Sequence, residues 1–217
     1  MVKISLENIA EAVAQAKKEA KKRNFRQSVE VIICLKGVDM KSPSSRIHEI
    51  VTLPNPIPKE IKVCVIADGD LMIKAREANA DGILTKEDLE RLAEDKKEAK
   101  KIAREYNFFV ARADLMPSIG RVLGPILGPR GKMPQPVPPT VDIKPIIERL
   151  RRSVMIRTRN QPVVQCRVGT EDMDDKKIAE NIMAVLSAVD KKFRLDQHLD
   201  SLYVKLTMGP AVEVKMK

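Results

Sequence analysis

Hydrophobic and polar positions alternate most regularly near the end of the chain. In Leu202-Tyr-Val-Lys-Leu-Thr-Met-Gly-Pro210, Val204 and Leu206 alternate with Lys205 and Thr207, the period-2 pattern of a strand with one buried and one wet face. Gly209-Pro210 interrupts the alternation, which resumes at Val212 and Val214. Glycine within a strand marks a bulge or the close approach of another backbone, and proline confines a strand to an edge or a bulge. The expected form is a kinked edge strand that exposes Thr207, Met208 and nearby backbone groups to a partner. An ordinary strand–turn–strand fits the same residues.

The same patterning places the other elements. Residues 4–22 put Leu6, Ile9, Ala10, Val13, Ala16 and Ala20 on one helical face, with lysines at the C-terminal end that suit the helix dipole. Ser28–Lys36 is apolar enough for a central strand, and Arg46–Leu53 reads as a second. Pro54-Asn-Pro-Ile-Pro58 then ends regular structure and forms a natural hinge. From Lys62 the pattern alternates strands (62–67, 82–84 and 108–112) with helices, as in a small doubly wound parallel sheet. Thr85 and Asp88 form a capping box opening one charged helix with Leu89, Leu92, Ala99 and Ile102 inward. Gly120–Pro139 reads as a loop, and a helix with Pro145 in its first turn follows. Residues 154–158 and 163–168 flank Arg159-Asn-Gln-Pro162 as a β-hairpin, and Asp174 caps a helix with Ile178, Ile182, Val185, Leu186 and Val189 inward. The expectation is a two-layer α+β domain from both termini, residues 1–60 and 152–217, into which a Rossmann-like three-layer α/β domain, residues 61–151, is inserted.

Charge sharpens this division. The net charge is +10, yet residues 61–150 hold 16 Lys+Arg against 14 Asp+Glu, and the two terminal segments hold 24 against 16. A polyanion is drawn to the unit built from the two ends. With 43% hydrophobic and 32% charged residues the chain reads as soluble and globular. No stretch approaches a membrane helix, and the start lacks the apolar core of a signal peptide. Cys34, Cys64 and Cys166 are scattered and read as buried thiols in a cytosolic protein, not as a disulfide framework or zinc site.

Catalytic chemistry is poorly supplied. His48 and His198 are isolated, which leaves no His-rich metal site and little for His-assisted nucleophilic catalysis. In the glycine cluster 120–132, Ile126 stands where a phosphate-binding P-loop needs glycine and Met133 where it needs Ser or Thr. Pro125 and Pro129 also remove donors that would cradle a phosphate. A rigid basic loop touching RNA or protein fits better. Asp68-Gly-Asp70 and Glu171-Asp-Met-Asp-Asp175 read as turn and helix-start residues. No cofactor, metal or enzymatic activity is expected. On the polar strand faces Arg157 pairs with Arg159, Gln165 with Arg167 and Lys205 with Thr207. If these strands are neighbours, their cations meet on one surface. Aromatics make up 3% of the chain, so recognition would rest on phosphate, 2′-hydroxyl and shape, which suits structured RNA. A solvated sheet face is the competing reading. A nucleotide-using enzyme and a pure protein-binding module are the rival function classes.

Three stretches are more specific. Asn24-Phe-Arg-Gln-Ser-Val-Glu30, Leu127-Gly-Pro-Arg-Gly-Lys-Met-Pro-Gln-Pro136 and Lys205-Leu-Thr-Met-Gly-Pro210 together closely resemble the universal large-subunit ribosomal protein L-one family in its archaeal form. The resemblance runs over essentially the whole chain. It implies a terminal two-layer domain that binds ribosomal RNA, an inserted Rossmann-like domain, and a place in the mobile stalk beside the tRNA exit site. It also implies help in releasing deacylated tRNA, and repression of the chain's own messenger through a mimic of the ribosomal RNA site. The implied partners are large-subunit RNA, the messenger and exit-site tRNA, for a cytoplasmic ribosomal protein that is monomeric when free and touches no membrane. Phe25, Thr207, Met208 and Gly209 match family positions at the RNA contact, as do the polar positions Ser28 and Glu30. Arg26, Lys36, Lys205 and Pro210 flank them. Arg157, Arg159, Gln165 and Arg167 join the expected RNA-binding set on the charge argument.

Overall fold

A computed structural model describes residues 4–42 and 45–216. The chain divides into two compact units, Met1–Pro58 with Arg152–Lys217 and Lys59–Arg151.

The terminal unit contains α1 (Leu6–Glu19), β1 (Ser28–Leu35), β2 (His48–Thr52), β7 (Ser153–Arg157), β8 (Val163–Thr170), α8 (Asp175–Phe193), α9 (Leu195–His198), β9 (Leu199–Leu206) and β10 (Ala211–Glu213). Its main sheet is antiparallel with strand order β10-β9-β1-β8. In β1, Val29, Val31, Ile33 and Leu35 are buried and alternate with half-exposed Ser28, Glu30, Ile32 and Cys34. The buried set joins Ile9, Val13 and Ala16 of α1 and Ile178, Ile182, Val185 and Val189 of α8 in one core. Helices thus cover one face and leave the other open. Asn181 on α8 is fully buried; its Nδ2 donates to the Asn55 and Val168 carbonyls (2.9 and 2.8 Å), and its Oδ1 accepts the Asn55 N–H (2.9 Å). These bonds tie the start of the proline-rich segment to the core.

The inserted unit runs β3 (Val63–Ile66), α2 (Asp70–Glu77), β4 (Gly82–Leu84), α3 (Lys86–Glu94), α4 (Lys96–Glu105), β5 (Phe108–Arg112), α5 (Met116–Val122), α6 (Gly124–Leu127), β6 (Gln135–Val137) and α7 (Lys144–Arg151). Its sheet is parallel, in the order β4-β3-β5-β6. Cys64 and Ile66 share a core with Leu89, Leu92, Ala99, Ile119 and Leu127 from α3 to α6. The alternate residues Val63 and Val65 are also fully buried, and α2 and α7 pack against β3. A parallel sheet with both faces covered reads as the continuous apolar run seen in β3.

Four expectations are corrected. The strand ending at Leu206 is interior, flanked by β10 and β1, and Gly209-Pro210 forms the turn of a hairpin. Residues 153–157 and 163–170 form no hairpin: β7 pairs with β2, and β8 with β1. The 120–139 stretch is not all loop. Pro117 and Pro125 sit in the first turns of α5 and α6, where their missing N–H groups cost nothing. The single charged helix is two, because Asp95 ends α3 and its carboxylate caps α4 through the N–H groups of Lys97 and Glu98.

Candidate nucleic-acid interface

The open face of the terminal sheet is built by strand parity. Glu30 lies opposite Arg167 on β8 and opposite Lys205 on β9, giving a row of cation, carboxylate and cation. The next row is Gln165, Ile32 and Tyr203. Directly opposed side chains have Cβ atoms about 4.5–5.5 Å apart, so the two cations flank the one carboxylate. Burial pushes the Arg167 guanidinium below its ordinary range, and Glu30 works against that shift. Arg167 Nε is buried and has no hydrogen-bond partner among the described residues. A buried orphan donor costs about 1–3 kcal/mol.

At one end of this face the Thr207–Pro210 turn is locked to the start of β1. The Thr207 N–H donates to the Ser28 carbonyl (3.0 Å). Thr207 Oγ1 accepts the Ser28 N–H (3.1 Å) and donates to the Ser28 carbonyl (3.3 Å). Gln27, 1% exposed, accepts the Met208 N–H at 3.2 Å. Its Nε2 donates to the Lys21 carbonyl (3.2 Å) and to Glu171 Oε2 (3.3 Å). One side chain therefore joins the end of α1, the end of β8 and the turn. Space at Gly209 is tight: a Cβ there would lie 3.1 Å from Ala20 Cβ and 3.3 Å from Leu206 Cβ, so one of them would have to shift by a few tenths of an ångström. With the backbone so held, Phe25 and Met208 stand 51% and 56% exposed.

Not every expected residue joins this cluster. Arg26 is held within the chain by Asp172 (2.9 Å) and the Pro58 carbonyl (3.1 Å). Lys36 follows β1 at the end remote from Ser28, where its N–H donates to the His198 carbonyl (2.7 Å). Arg159 lies beyond the end of β7, so it shares no strand face with Arg157. Arg157 and Arg159 instead line a cleft of about 470 Å³ with Asn160, Gln161, Val163 and Gln165. Burial, and then Arg159, push the Arg157 guanidinium below its ordinary range. Tyr203, Ile32 and Gln27 were absent from the expected set. The first two share strand parity with Lys205 and Glu30, a signal that could have found them. The burial of polar Gln27 has no local signature.

The geometry is one that can bind a polyanion. The open face offers cations, the carboxylates of Glu30 and, opposite Tyr203 on β10, Glu213, hydroxyls and exposed apolar side chains. Among the described residues no group of three His, Cys, Asp or Glu is placed to hold a metal ion. The glycine cluster is structural at Lys132, whose Nζ donates to the carbonyls of Ala103 (2.9 Å) and Tyr106 at the end of α4.

Residues 16–210 match the model of the ribosomal protein L1p/L10e family. The chain is 52% identical over 209 residues to the large ribosomal subunit protein uL1 of Methanothermobacter thermautotrophicus, covering 96% of this chain and 99% of the relative. It is 49% identical over 212 residues to uL1 of Archaeoglobus fulgidus (97% and 99% covered) and 48% identical over 212 residues to uL1 of Pyrobaculum aerophilum (98% and 95% covered). Identity near one half over almost the full length of these archaeal proteins leaves one conclusion: the chain belongs to the ribosomal protein L1p/L10e family.

Proposed function

We propose that this chain is a non-enzymatic ribosomal protein of the large subunit, acting in the cytoplasm, and that its terminal unit binds large-subunit RNA through the open sheet face and the Thr207–Pro210 turn. The observation that carries the reading is the pairing of a rigid turn with exposed apolar side chains. Thr207 and Gln27 fix the backbone while Phe25 and Met208 remain exposed, and Arg167, Glu30 and Lys205 form one row of the open face. Lys205 and Arg167 neutralise phosphates and supply salt-dependent affinity. Ser28, Glu30 and backbone groups near Gly209 hydrogen-bond sugar hydroxyls, and Phe25 and Met208 pack on ribose or base faces. Glu30 tolerates the anionic partner because cations stand on both sides of it.

The finer part of the proposal rests on the resemblance of the three motif stretches. In it the protein forms the mobile stalk near the tRNA exit site and assists release of deacylated tRNA. The same face represses translation by binding a mimic of the ribosomal site on the chain's own messenger.

The test is binding of a large-subunit RNA stalk fragment against unrelated RNA of equal length, from low to high salt, with wild type and Thr207→Val. Loss of both hydroxyl hydrogen bonds at Ser28 should weaken specific binding by about 1–3 kcal/mol, roughly 5- to 150-fold. The specific RNA should stay bound at high salt while the unrelated one dissociates, and the substitution should erase that difference. If both RNAs decline together and Thr207→Val changes nothing, the face is only an electrostatic attractor.

A further inference from the structure

The inserted unit carries a second charged surface, well away in sequence from every residue of the terminal-sheet face. On α4, Lys97, Lys100, Lys101 and Arg104 are all exposed and fall at i, i+3, i+4 and i+7, one stripe of a helix. The opposite side of the helix is buried through Ala99 and Ala103. The stripe runs over eight residues, seven helical steps, or about 10 Å at 1.5 Å per residue.

The helix dipole accounts for Arg104 in the last turn, beside Lys132, which donates to the Ala103 and Tyr106 carbonyls. It does not account for Lys97, Lys100 and Lys101, which lie earlier in the helix. Burial, with Arg130 second, pushes the Lys132 ammonium below its ordinary range, so Arg130 brings further positive charge to the same end of the helix. Intrahelical pairing is not the cause either. The two carboxylates of α4 are engaged by cations outside the stripe: Glu98 by Arg91 (3.5 Å) and Glu105 by Lys62 (3.7 Å). Among the described residues none of the four stripe cations forms an ion pair. The neighbouring helix α3 exposes Glu87, Glu90 and Glu94 with the cations Lys86 and Arg91, so it is net acidic where α4 is net basic.

We propose that the outer face of α4 is a second polyanion-binding surface, and that its ligand is the phosphate backbone of double-helical RNA. No large apolar side chain is exposed on α4, whereas protein interfaces are built around aromatic and apolar anchors. The aromatics of this unit are also unavailable for stacking. Phe108 and Phe109 are buried, and Tyr106 packs edge-on against Phe109 with ring centroids 6.0 Å apart. Single-stranded RNA normally demands an aromatic platform; a rigid line of cations matches the repeating charge of a duplex backbone. The inference goes beyond the terminal-sheet reading and does not depend on it.

The test uses the full chain and deproteinised large-subunit RNA. The slope of log affinity against log salt is measured for wild type, for Lys100→Glu/Lys101→Glu/Arg104→Glu, and for Lys86→Glu/Arg121→Glu/Lys144→Glu, a control with the same charge change on other exposed positions of the unit. Each lost phosphate contact should lower the slope by about 0.7–0.9, so the stripe variant should lose roughly two units and the control should lose less than one. The same loss should appear in a Thr207→Val background, which separates this surface from the terminal sheet. Circular dichroism should give all variants the wild-type melting temperature. Equal loss in both triple variants, or loss in neither, overturns the proposal.

Discussion

Gln27 offers the sharpest test of how the reading surface is held. Gln27→Met keeps the length and volume of the side chain and removes three hydrogen bonds: to the Lys21 carbonyl, to Glu171, and from the Met208 N–H. A neutral hydrogen bond contributes about 0.5–1.5 kcal/mol net and one to a charged group about 1.5–3. Lys21 and Met208 are exposed, so water replaces part of what they lose. The expected destabilisation is about 2–4 kcal/mol, with little cavity cost because methionine fills the space. The chain has two tyrosines, Tyr203 in the terminal unit and Tyr106 in the inserted one. In a Tyr106→Phe background, tyrosine fluorescence therefore follows the terminal unit alone. At about 2 kcal/mol per molar urea, the midpoint of that transition should fall by roughly 1–2 M. Affinity for the stalk fragment should fall at least fivefold because the Met208 turn loosens. A midpoint shift under about 0.3 M with unchanged RNA binding would refute the claim that Gln27 holds the turn.

Gly209→Ala tests space at the same turn: crowding against Ala20 and Leu206 should cost about 1–3 kcal/mol in the Tyr203 transition and weaken RNA binding. Lys132→Met should remove the cap from α4 and lower the stability of the inserted unit by about 1.5–3 kcal/mol, read at Tyr106 in a Tyr203→Phe background, while leaving stalk-fragment binding unchanged. Burial, then Glu105, raise the Cys64 thiol from 9.0 to about 12. The unfolded chain therefore ionises first, and stability that is intact below pH 9 is lost as pH rises from 9 to 12, by about 1.4 kcal/mol per pH unit. Cys64→Ala should flatten that slope when urea midpoints of the inserted unit are compared across this range.

Elements with local causes were legible in the sequence. The Thr85–Asp88 box and the Asp174 cap each need only residues two or three positions apart, and both are formed. Pairing partners were not legible. Arg159-Asn-Gln-Pro162 carries turn chemistry, but which strand joins β7 depends on β2, a hundred residues earlier. The interior place of β9 depends on β10 folding back across Gly209, a close approach set by Ala20 on another element. Gly120–Pro139 misled because proline at a helix start and proline in a loop look alike without the packing of Ile119, Leu123 and Leu127 into the core. On the open face, Lys205 and Thr207 were readable from alternation and Glu30 from the motif resemblance, and the alignment of Lys205 and Glu30 with Arg167 required the register.

The pairing of β1 also dictates an order of events during synthesis. Ser28–Leu35 pairs only with Val163–Thr170 and Leu199–Leu206, so the strand that anchors the sheet is made early and completed late. At about 5–20 residues per second, it waits roughly 8–30 s for its second partner. The inserted unit is contiguous in the chain and can fold during that interval. The strands on either side of it, β2 and β7, pair directly from Thr52 to Ser153, and that pairing shortens the loop the sheet must close. The Thr207–Pro210 turn, which needs Thr207 against Ser28, comes into being only at the end, so a chain stalled within the inserted unit lacks the proposed reading turn of the terminal sheet.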